Sequence, residues 1–132
     1  MGKLATGVLA GVLILVSASG SAVAANRKAQ EMVAGLQKDQ ATLLAKFPAL
    51  TRIDGVIRAD CAGQNKGRLA TDDFCGCAST VTMSLWRSGM DPKMMPRLQD
   101  YLKNPTEAGA NAFVQYQGPE LYRPVCTEAS KR

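Results

Sequence analysis

Apolar residues recur at three- and four-residue spacing along most of this chain, separated by charged and amide residues. From Arg27 to Phe47 the apolar positions are Met32, Val33, Leu36, Leu43, Leu44 and Phe47, the period of an amphipathic helix. Pro48 closes it, because proline disfavours helical backbone at the residue before it. A second stripe, Ile53, Val56, Ile57 and Cys61, predicts a short helix from Thr51 to Ala62 with its cysteine facing the core.

"GQNKGR", residues 63 to 68, holds two glycines and two basic residues and reads as a loop. Thr71 then offers an N-cap hydroxyl, and Asp72 and Asp73 supply the negative charge that a helix dipole favours in its first turn. That third helix runs through Phe74, Cys77, Val81 and Leu85 and stops at Gly89. Asp91-Pro92 and Asn104-Pro105 each repeat a capping residue followed by proline, so each is read as a helix start. The first leads through Leu98 and Tyr101-Leu102, the second through Phe113 and Val114 to Gly118-Pro119. A last short helix from Glu120 reaches Cys126, interrupted by Pro124, with a frayed polar tail behind it. No alternating strand pattern and no internal repeat appears, so the expected fold is all-α, a small bundle of about five short helices.

The N-terminus changes where such a bundle would work. Lys3 precedes an uncharged run from Leu4 to Ala25 with an apolar centre at Val12–Val16, and Ala22-Val23-Ala24 ends it with a small-residue cleavage pattern. This is the order of a secretory signal, giving residues 1–25 as signal peptide and residues 26–132 as one domain. A retained run of that length would instead be an anchor, with Gly7 and Gly11 as a helix-pairing motif. Removal takes one lysine and leaves 15 basic against 11 acidic residues, a formal charge of +4. That modest surplus suits an acidic partner protein or an anionic envelope surface.

A domain of this size buries a marginal core, and its four cysteines in an oxidising compartment read as two disulfides. Cys75 and Cys77 are two positions apart on one helix, so they point in different directions and reach for different partners. Four cysteines allow three pairings. Cys77 shares the inward stripe of Phe74, Val81 and Leu85, and Cys75 faces the side where the loop of residues 63–68 must return, which favours Cys61–Cys75 with Cys77–Cys126.

Other uses of these residues fit less well. A thiol redox pair lacks the C-x-x-C spacing, and two aspartates in "TDDFCGC" would raise the thiol pKa. Met83, Met90, Met94 and Met95 gather around one loop as soft ligands of the kind Cu(I) takes, although methionines at helical spacing are commonly core filler. With no histidine anywhere, histidine-based catalysis has no base and a zinc site would need cysteines already claimed by disulfides, and no nucleotide motif is present. Scattered basic residues and few aromatics disfavour nucleic acid as a partner. No cofactor, metal site or catalytic residue is assigned.

The order Cys61, then "DFCGC" opening a helix, then "LQDYLKNP" from Leu98 to Pro105, then Ala108–Val114 and "RPVC" ending at Cys126, resembles small periplasmic immunity proteins that neutralise type VI secreted cell-wall amidases. That resemblance, over residues 60–126, implies a disulfide-stapled helical domain that binds and inhibits an envelope hydrolase. The glycine-aromatic pair that such proteins carry after the second cysteine is replaced here by Cys77-Ala78. The sequence therefore predicts an exported, periplasmic or secreted, non-enzymatic binding protein. Alternatives are an accessory component of an envelope or secretion complex, held by the retained N-terminal segment, and a thiol or copper protein. Trp86, off the apolar stripe of its helix, and the loop residues Asn65, Lys66 and Arg68 are the expected contact points.

Overall fold

The computed structural model describes residues 3–65 and 72–131, with side chains from Ala24 to Asn65 and from Asp73 onward. Among the described residues six α-helices follow one another: α1 Lys3–Lys46, α2 Leu50–Gln64, α3 Asp72–Arg87, α4 Met94–Lys103, α5 Glu107–Asn111 and α6 Pro119–Ser130. A 3-10 turn, Ala112–Tyr116, joins α5 to α6, and no strand occurs among the described residues. The all-α expectation holds.

α3 is the spine of the molecule, packed by α1, α2, α4 and α6. Residues Phe74 to Met83 are buried without interruption, so α3 does not have the single inward stripe expected of it. Its composition explains why this is tolerated: Cys, Gly, Ala, Ser and Thr side chains are small enough for helices to close around it on several sides.

Two apolar clusters divide along this spine. At its N-terminal end Cys61, Phe74, Cys75, Cys77, Ala78, Val81, Tyr122 and Cys126 pack with Val33 of α1. At its C-terminal end Met83 and Trp86 meet Leu50, Ile53, Ile57, Met94, Leu98, Tyr101, Ala110 and Phe113. Phe113 is the hub of the second cluster, with ring centroids 5.5 Å from Trp86, 5.9 Å from Tyr101 and 5.8 Å from Tyr116.

Several helix boundaries differ from expectation for identifiable reasons. Asp91 does not open a helix directly: its carboxylate accepts from Lys93 N at 2.9 Å, forming a turn that leads into α4 at Met94. Asn104-Pro105 ends α4, and the cap of α5 is Thr106, whose hydroxyl accepts from Gly109 N at 2.9 Å. Pro124 does not break α6, which runs unbroken from Pro119 to Ser130. Its C-terminal tail is not frayed either. The Asn26 amide donates to Glu128 O at 2.5 Å and Lys131 O at 2.9 Å, and the Gln30 amide donates to Ala129 O and Lys131 O. α1 thus caps the carbonyls that end α6, which a helix otherwise leaves unsatisfied. The Thr71 cap lies outside the described residues.

Candidate functional site

Both disulfides start from neighbouring positions on α3. Cys61 of α2 bonds Cys75, and Cys77 bonds Cys126 of α6, with Cα separations of 5.6 and 5.7 Å. This is the favoured pairing of the three. All four cysteines are at most 4% exposed, so they act as staples in a dry interior. Structural disulfides of this kind belong to oxidising compartments. Among the residues with described side chains, no helix is long and apolar enough to cross a membrane.

The expected contact residues are placed differently. Trp86 is 5% exposed and sits in the second cluster against Phe113, so it is a core residue and presents no surface. Being off the stripe of one helix meant only that it faces another part of the core. Asn65 is also buried: its amide donates to Cys61 O at 2.8 Å and to the Tyr122 hydroxyl at 3.3 Å, while its carbonyl accepts from Arg123 Nε at 3.2 Å. It joins the end of α2 to α6. Lys66 and Arg68 lie outside the described residues.

The four methionines are split. Met83 and Met94 are each 1% exposed inside the second cluster, whereas Met90 and Met95 lie on the surface.

Met90 is the most exposed large apolar side chain described, at 68%. It stands in the α3–α4 turn, residues 88–93, whose backbone is held at several points. Gly89 takes φ +85°, a conformation that favours glycine, and so reverses the chain after α3. Ser88 Oγ donates to Leu85 O at 2.7 Å and accepts from Met90 N, Met94 N reaches Asp91 O, and the Asp91 carboxylate holds Lys93 N. Trp86 just before the turn and Met94 just after it are both anchored in the core. Exposed Arg87 and Lys93 flank the turn with positive charge. An unbranched, adaptable apolar side chain on a rigid, cationic knuckle is a surface suited to protein contact. The run of methionines pointed to this turn, but the assignment of Met90 as surface and Met94 as core needed the register of α4.

Sequence patterning missed a buried polar junction at mid-height of α3. Asp54 of α2 accepts from Gln40 of α1 at 3.0 Å, from Ser79 of α3 through a short hydrogen bond, and from Arg58 Nε at 3.0 and 3.2 Å. Gln40 also donates to Ser79 Oγ at 3.2 Å. Gln40, Asp54 and Ser79 are at most 9% exposed, while the Arg58 side chain is 46% exposed and reaches solvent. The Gln40 amide, the Ser79 hydroxyl and both Asp54 carboxylate oxygens are hydrogen-bonded to one another or to Arg58, which makes the cluster a structural pin between three helices.

An open groove of about 710 Å³ runs between α2 and the α5 region, lined by Arg52, Gly55, Val56, Ala59 and Asp60 on one side and Glu107, Asn111 and Val114 on the other. Compared with known protein families, curated proteins and solved structures, the chain matches none.

Proposed function

We propose that this chain is a small exported protein that acts by binding another protein, and that the partner is an envelope hydrolase which it inhibits. The observation that carries the binding reading is Met90, 68% exposed on a turn locked by hydrogen bonds and anchored by Trp86 and Met94. A rigid apolar knob loses little conformational freedom on association, so more of its burial appears as affinity. Arg87, Lys93 and the formal charge of +4 on residues 26–132 favour a partner with an acidic face. Export is supported by the signal-like residues 1–25 and by two disulfides. The hydrolase as partner rests on the resemblance of residues 60–126 to immunity proteins. Thiol chemistry would require a sulfur that a substrate can reach, and these four are buried.

The test is capture of a stoichiometric partner from envelope extracts on the processed chain, followed by assay of that partner's peptidoglycan hydrolysis. M90D should weaken capture about 30-fold, the size of a central contact residue's effect, with an unchanged helical spectrum. A bound partner that hydrolyses peptidoglycan at its full rate would retire the inhibitor reading. Capture unaffected by M90D and by K93E would move the contact elsewhere.

A further inference from the structure

We infer that the exposed face of α2 is a self-association surface, and that the occupant of the groove beside it is a second copy of this chain. Arg52, Gly55, Val56, Ala59 and Asp60 all line the α2 side of that groove. At about 100° per residue they occupy one face of the helix, and Arg52 and Asp60 are about 12 Å apart along its axis. Val56 lies midway between them. Turned about a two-fold axis at Val56, an antiparallel second α2 sets each Arg52 against the Asp60 of the other copy, twice over. The charge pattern is its own complement, which is what an isologous two-fold interface requires.

The side chains at both ends are available for that pairing. Among the described residues Arg52 has no ion-pair partner. Asp60 accepts from the Gln64 amide through one carboxylate oxygen, Oδ2, and Oδ1 is left for a guanidinium.

The glycines of α2 point the same way. Each exposed glycine inside a helix costs about 1 kcal/mol relative to alanine. At Gly55 and Gly63 a Cβ would meet nothing within 4 Å among the described residues, which therefore give no steric reason for either. With Ala59 they form a small-residue strip at four-residue spacing down the exposed face of α2. Such a strip admits close approach of another helix backbone. Val114, 39% exposed on the opposite wall, would then cover the flank of the incoming α2.

The experiment is sedimentation equilibrium of the processed, disulfide-intact chain across the micromolar to millimolar range. The wild type should approach twice the monomer mass, and added salt should weaken it because the rim pairs are screened. R52D and D60R should each raise the dissociation constant about tenfold, and the double variant R52D/D60R should restore it to near the wild-type value. G55L should be monomeric while melting no lower than wild type, because leucine is the better helix former and its Cβ at this position meets no described atom within 4 Å. Monomer mass at every concentration overturns the inference. So does a dimer that G55L leaves intact, or one in which the double reversal is no better than the single ones.

Discussion

The two ends of α3 are held by different physics. Around Cys75 and Cys77 the neighbours are fixed covalently, with α2 and α6 each bonded to the spine. Around Met83 and Trp86 nothing is covalent, and the same spine is held by a cluster of interlocking rings centred on Phe113. The difference follows from side-chain size. The cysteine end offers Phe74 and Tyr122 as its large side chains and otherwise small ones, so its buried area alone is modest. The aromatic end has Trp86, Tyr101, Phe113 and two buried methionines, and packing suffices.

Breaking the staples gives the largest expected effect. On a loop-entropy account, closing the 49-residue separation of Cys77 and Cys126 stabilises by about 4 kcal/mol and the 14-residue separation of Cys61 and Cys75 by about 3 kcal/mol. C77A/C126A should therefore lower unfolding free energy, measured by denaturant titration, more than C61A/C75A does. F113A removes the hub of the other end and should cost about 3 to 5 kcal/mol, comparable to a staple. If reduction of both disulfides leaves the near-ultraviolet signal of Trp86 intact while F113A abolishes it, the ends are separable units. If both perturbations melt the whole chain in one transition, α3 couples them fully.

That coupling would run through the polar junction, which lies between the two clusters at Ser79. D54A leaves the Ser79 hydroxyl buried without its acceptor and the Gln40 amide with Ser79 Oγ alone, at a cost of about 1 to 3 kcal/mol. Arg58 adds little to that cost, since its half-exposed side chain returns to water. The sharper expectation concerns cooperativity: hydrogen exchange in D54A should show the two ends of α3 opening with different free energies. Equal protection along α3 in the variant would show that packing alone transmits between them.

How much of this was legible in the sequence depends on which end is considered. The all-α class, the closure of α1 at Pro48 and the disulfide pairing followed from helical periodicity and from the opposed directions of Cys75 and Cys77. Trp86 was misplaced because a single-stripe reading assumes a helix with one buried face, and α3 is enclosed on several. Gln40 and Ser79 carried a signal that went unused: each is a polar residue at four-residue spacing from apolar ones, Gln40 between Leu36 and Leu44 and Ser79 between Cys75 and Met83. Their common partner, Asp54, has no such periodic mark, because it becomes an interior residue only when α1 and α3 close over it. Asn26 and Gln30 are likewise explained only by the end of α6 lying beside them.

The smallest expected effect lies at the joint where the chain leaves one end for the other. After Tyr116 packs on Phe113, Gln117 leads through Gly118 into α6, whose Tyr122 and Cys126 belong to the cysteine end. Both polar atoms of the Gln117 side chain are buried without a hydrogen-bond partner among the described residues. A buried amide in that state carries its desolvation cost uncompensated, so Q117L should raise stability by about 1 kcal/mol, read as a higher denaturation midpoint at unchanged slope. Q117E should do the opposite, since a carboxylate there would lose still more hydration. A neutral Q117L with a destabilising Q117A would mean that the methylene packing of this side chain, and not its orphaned amide, sets the strength of the joint.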